Sequence, residues 1–124
     1  MTNEILLYIG STIIILWGIG HLVPTKSIVR GFGELSGDNR KIITMEWIAE
    51  GYTLCFIGVL VMILSLTFGT DNPAAILAYR LCGLMLIVLA ALSMFTGART
   101  SILPMKLCPA VKMAAAILFF IGSL

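Results

Sequence analysis

Charge is scarce in this sequence. Eight Lys or Arg and six Asp or Glu make up 11% of the 124 residues, against about 25% in an ordinary soluble domain. With 60% hydrophobic residues, the chain is neither disordered nor a water-soluble globule. The net charge of +2 is too small to support nucleic-acid binding, so no nucleic-acid partner is expected. Cysteine is sparse as well. Cys55, Cys82 and Cys108 are odd in number and form no CxxC pair, so spacing gives no support to zinc or dithiol chemistry. A thiol in an apolar run, as at Cys55 and Cys82, packs as a small hydrophobe. GxGxxG and GKS/T are both absent, which removes the phosphate-cradling loops. No basic stretch precedes the first apolar run, so that run is expected to remain as a helix rather than act as a signal peptide.

What is present is apolar length. Mean hydropathy is +1.08. Four apolar segments run over about 5–23, 42–69, 74–98 and 109–124. A membrane-spanning helix needs roughly 20 such residues, and in hydrocarbon the backbone must satisfy its own hydrogen bonds. The expected fold is all-α: a single integral membrane domain over 1–124, built as a four-transmembrane-helix bundle. Asn72-Pro73 reads as a cap with proline at the first helical position. Pro109 is expected to open the fourth helix in the same way, and Ser36 or Asp38 to cap the second. Lys112 then falls in the first turn of the fourth helix, where its ammonium is expected to snorkel to the interface. In the loop 24–41, Ile28, Phe32 and Leu35 recur at i, i+4 and i+7. This segment is either a short interfacial helix or an ordered loop, since Gly31 and Gly33 disfavour helix.

Small residues recur every seven positions in each segment: Ser11 and Gly18; Gly51, Gly58 and Ser65; Gly83, Ala90 and Gly97; Ala115 and Gly122. That spacing keeps one face on a left-handed seam and predicts close helix packing through small residues. The loop 24–41 carries Lys26, Arg30, Arg40 and Lys41, while Arg99, Lys106 and Lys112 lie around the last loop and only Arg80 lies toward the other side. The positive-inside rule then places both basic loops in the cytoplasm and both termini outside, in a multi-pass protein of the cytoplasmic membrane. The lipid bilayer is the first partner. A homo-oligomer is plausible for so small a unit.

Ionisable groups inside a span are functional candidates by default. Glu46 and Glu50 are four apart and share one face of the second helix. His21 ends the first helix at a similar depth, so His21, Glu46 and Glu50 form a candidate ligand or proton site. Arg80 enters from the opposite interface. A buried Glu50–Arg80 pair is one expectation; outward snorkelling of Arg80 to Glu4 or headgroups is the other. Lys26, Arg30, Arg40 and Lys41 are candidates for lipid headgroups. No metal site is expected, because no HxxE-type spacing accompanies the single histidine. No cofactor is indicated, and no nucleophile–base arrangement points to an enzyme.

Gly18-x-x-His21 closing the first span, with GFGELSGDNRKIITMEWIAEG opening the second, resembles the DoxX-like group of small four-helix membrane proteins. The resemblance implies the four-span architecture. Some relatives in that group serve as membrane subunits of quinone-linked oxidoreductases. Small multidrug transporters share the size and an intramembrane glutamate, but theirs lies in the first helix, which here has no acidic residue beyond Glu4. The leading functional expectation is a small binding or transport-type module whose polar site holds a small lipophilic ligand. The alternative is a membrane anchor or accessory subunit of a larger complex.

Overall fold

A computed structural model describes residues 2–124. The chain folds as an all-α bundle of four long apolar helices, each long and apolar enough to cross a membrane. It is a multi-pass membrane protein. Helix α1 spans Thr2–Leu22, α2 Thr25–Gly31, α3 Gly37–Phe68, α4 Pro73–Phe95 and α5 Leu103–Gly122, with a 3-10 turn at Gly97–Arg99 before α5.

Local chemistry sets these ends. Ser36 caps α3, its hydroxyl accepting from the Asn39 amide at 3.2 Å. Asn72 caps α4, its side chain accepting from the amides of Ala74 and Ala75 at 2.9 and 3.3 Å, with Pro73 at the first helical position. The loop 24–41 does carry a short helix, α2. It ends where Gly33 takes φ +77°, a left-handed conformation that only glycine adopts without penalty.

The fourth span departs from expectation. It begins at Leu103 rather than near residue 109, with Pro104 in its first turn and Pro109 inside the helix. A start at Pro109 would leave about 24 Å of helix at about 1.5 Å per residue, short of a hydrocarbon core of about 30 Å. The 20 residues observed close that gap. Proline lacks an N–H, so Pro109 removes one rung of the ladder and leaves the Met105 carbonyl without its usual partner.

The bundle is a square with unequal sides. α1 packs extensively against α3 and α5, α5 against α4, while α3 and α4 touch far less. α3 and α5 are diagonally opposed, as are α1 and α4. Ser11, Gly18, Gly51, Gly58, Ser65, Gly83, Ala90, Ala115 and Gly122 are all buried, so the small-residue positions form the contact faces. At the α1–α3 crossing a Cβ on Gly58 would lie 2.8 Å from the Ser11 carbonyl oxygen, and one on Gly18 3.0 Å from that of Gly51. Leu7, Ile14, Leu54, Val61, Tyr79, Leu86 and Phe119 fill the centre and are fully buried. Large apolar side chains such as Leu16, Phe56, Leu66 and Leu92 stay outside, as expected where lipid is the solvent.

Candidate functional site

One charged residue that the sequence reading placed at the interface sits in the middle of the protein. Lys112 is completely buried. On α5 it follows Cys108 by four residues and precedes Ala115 and Ala116 by three and four, all of them buried. It therefore occupies the inward stripe. With α5 starting at Leu103, Lys112 lies nine residues down the helix, about 14 Å at about 1.5 Å per residue. Long helical side chains lean toward the helix N-terminus, which brings the ammonium back toward the end of the bundle where the two basic loops lie.

There it meets a carboxylate. The Lys112 ammonium donates to Glu50 Oε1 and, at 2.8 Å, to the Ser93 hydroxyl. Ser93 in turn donates to the Leu89 carbonyl at 2.8 Å. The other Glu50 oxygen lies 3.6 Å from His21 Nε2. His21 belongs to α1, Glu50 to α3, Ser93 to α4 and Lys112 to α5, so all four spans converge on one point. The Glu50–Lys112 pair crosses the α3–α5 diagonal.

Aromatic and sulfur groups frame this point. The Trp47 ring stacks on His21 with centroids 3.8 Å apart, and its indole N–H donates to the His21 carbonyl at 2.7 Å. Trp17 donates to Cys108 Sγ at 3.4 Å. Stacking fixes the plane of the imidazole, yet among the described residues its buried Nε2 has no hydrogen-bond partner.

Two hollows meet at His21. The larger, about 220 Å³, is apolar and is bounded by Trp17, His21, Ile28, Trp47, Met105 and Cys108, among others. A further hollow of 350 Å³ shares Ile28, Trp47, Ile102 and Met105 with it and continues between α2 and the 3-10 turn. The smaller, about 90 Å³, lies where α3 and α4 separate and is bounded by His21, Glu50, Leu92, Ser93 and Thr96. The Glu50 side chain retains 34% of its exposure there.

The candidates named from sequence divide as follows. His21 and Glu50 are brought together. Glu46 is exposed on α3 and lines none of these hollows. The inward stripe of α3 runs through Trp47, Gly51, Leu54, Gly58, Val61 and Ser65. At about 100° per residue Glu50 is about 60° from it and Glu46 about 100°. Arg80 does not meet Glu50. It donates to the Ser123 hydroxyl at 3.3 Å and the Ser123 carbonyl at 3.0 Å, holding the far end of α5. The polar partner of Glu50 is instead Lys112, which the sequence reading had assigned to the interface. Lys26, Arg30 and Arg40 surround a separate hollow of about 190 Å³ with Thr25 and Thr44, whereas Lys41 is not part of it. Among the described residues no group of three His, Cys, Asp or Glu side chains is arranged for a metal ion.

The chain matches no protein-family model, no curated protein and no solved structure.

Proposed function

We propose that this protein is a small membrane module that binds a lipophilic ligand beside an ionised intramembrane site. The observation that carries this reading is the meeting of the Lys112–Glu50 pair and His21 with an apolar hollow framed by Trp17, Trp47 and Met105. A charge pair inside a span is costly to keep, and a largely preformed apolar hollow with a few convergent polar groups is the usual form of a small-molecule site. Glu50, partly exposed in the polar hollow, offers its second carboxylate oxygen to a polar atom of the ligand.

In this reading the protein lies in the cytoplasmic membrane with the α1–α3 and α4–α5 connections inside and both termini outside. Burial of Lys112 in the pair removes it from the count of loop charges, but Lys26, Arg30, Arg40, Lys41, Arg99 and Lys106 still outnumber Arg80. Kinship with the DoxX-like group belongs to the same proposal. Its support is that Gly18, His21 and Glu50, which carry the resemblance, all lie on the contact faces or in the site.

A second reading has its own observation. The Glu50–Lys112 pair links two helices that share no extended contact, so it also serves as a tie holding the bundle as an anchor or accessory subunit. One experiment separates the two. The chain has two tryptophans, and both line the apolar hollow. Bromooctane, a neutral lipophile whose bromine quenches indole emission, should quench the detergent-solubilised protein saturably. Quenching that rises linearly, as for an indole dissolved in the micelle, would overturn ligand binding and leave the anchor.

A further inference from the structure

The chemistry of the ligand can be taken one step further, and this step rests on the binding reading above. His21 is 6% exposed, and among the described residues its Nε2 has no hydrogen-bond partner. Buried polar atoms are nearly always paired, and one left unpaired lowers stability unless something arrives to satisfy it. Stacking on Trp47 at 3.8 Å fixes the plane of the ring. Glu50 Oε2 lies 3.6 Å away, beyond hydrogen-bond reach of the imidazole, while Oε1 is already engaged by Lys112. The site therefore holds two adjacent polar atoms, a buried imidazole nitrogen and a carboxylate oxygen; His21 borders both hollows and Glu50 the smaller one.

We propose that the two hollows take a neutral lipophile ending in a hydroxyl group, an alcohol or a phenol, its apolar body in the apolar hollow and its hydroxyl reaching past His21 into the smaller one, beside His21 Nε2 and Glu50 Oε2. A hydroxyl donates its one proton to the carboxylate and accepts from the imidazole N–H with a lone pair. The carboxylate oxygen accepts and does not donate, so a ketone, ether or ester oxygen finds no donor on that side. Charge is disfavoured: Lys112 and Glu50 already compensate one another, and a further ion in so apolar a cavity would enter without a counter-ion. The apolar body of the ligand then lies along Ile28, Trp47 and Met105, where the inner hollow continues into the 350 Å³ one.

Bromooctanol, its methyl ether and bromooctane carry the same quencher and differ only at the end that meets His21. Titrated against the tryptophan emission of the intact protein in detergent, bromooctanol should bind about tenfold or more tightly than the ether or the alkane, the size expected for a hydrogen bond to a charged acceptor. His21→Phe keeps a flat ring against Trp47. It removes one of the hydroxyl's two partners and should reduce the preference for bromooctanol over bromooctane, both measured on the same variant. Equal, saturable affinities for all three probes would overturn the hydroxyl assignment and leave the binding reading standing; in that case water holds the position. Retention of the preference in a folded His21→Phe protein would overturn it as well. Absence of saturable quenching by any probe would overturn the binding reading, and the assignment with it.

Discussion

Lys112 on α5 and Glu50 on α3 form an ion pair across the diagonal of the bundle, joining two helices that otherwise have no extended contact. The ammonium has no exposure at all, whereas the carboxylate keeps about a third of its own. Such a pair contributes less through its net energy than through the penalty for breaking it.

Removing one partner should therefore be worse than removing both. Lys112→Met alone is expected to destabilise the protein by about 3 kcal/mol, the low end of the range for a broken buried pair because Glu50 remains partly wet. Glu50→Leu combined with Lys112→Met should recover most of that loss. The measurement is unfolding in mixed micelles, arranged as a double-mutant cycle. Additive losses would show that the two side chains do not act as a pair. A cycle on Glu50 and Arg80 should show no coupling, since Arg80 bonds Ser123.

Arg80 should report on the opposite end of the molecule. Its guanidinium supplies donors to a helix C-terminus whose last carbonyls lack helical partners. Arg80→Gln is expected to speed amide hydrogen exchange in the last turn of α5, around residues 119–123, by about fivefold or more, the scale of one charge-assisted hydrogen bond. Tryptophan emission from the site should not change. Unaltered exchange in that turn would mean that Arg80 does not hold it.

The α1–α3 crossing depends on the absence of a side chain at Gly58. An added Cβ would approach Ile15 Cγ1 at 2.5 Å and the Ser11 carbonyl at 2.8 Å, and a backbone atom cannot rotate aside. Gly58→Ala should lower stability by about 1–3 kcal/mol, the usual penalty for overpacking. Gly20→Ala, an exposed position of α1 with nothing within 4 Å of its Cβ, should be neutral or slightly stabilising through helix propensity. Thermal unfolding of the two variants side by side is the check, and equal behaviour would contradict the close approach.

Lys26, Arg30 and Arg40 converge on one hollow, and among the described residues none of them forms an ion pair with a carboxylate. Anionic phospholipid is expected to collect there. Arg30→Gln and Arg40→Gln should each weaken retention of phosphatidylglycerol about fivefold, corresponding to about 1 kcal/mol per basic residue, and raised salt should do the same. Lys41→Gln, outside the hollow, should have little effect. Lipid bound per chain, measured by mass spectrometry of protein released from mixed micelles, distinguishes these cases.

The fold was readable in the sequence because lipid imposes a simple grammar. Apolar length fixes the spans, and small residues at seven-residue intervals mark the faces that touch; every one of those positions is buried except Gly97, which is only partly so. Half of the site was readable too, since His21 and Glu50 are ionisable groups on or beside those faces. Lys112 was hidden by a boundary. Taking Pro109 as the helix start put Lys112 in the first turn, while Pro104 in fact opens the helix. A signal was nevertheless present, because Lys112 falls at three- and four-residue spacing with Ala115 and Ala116 on the packed stripe, where a surface lysine does not belong. Arg80 misled for the complementary reason: its depth along α4 was clear, but its direction depends on the end of α5, which lies 43 residues away in sequence.

His21, Met105 and Cys108 border both the apolar hollow and the one that Glu50 lines. Coupling between an occupant of one and an occupant of the other would pass through these shared side chains, and such coupling is reciprocal. Whatever factor a lipophile in the apolar hollow applies to binding in the polar one, an occupant of the polar hollow must apply to the affinity for the lipophile.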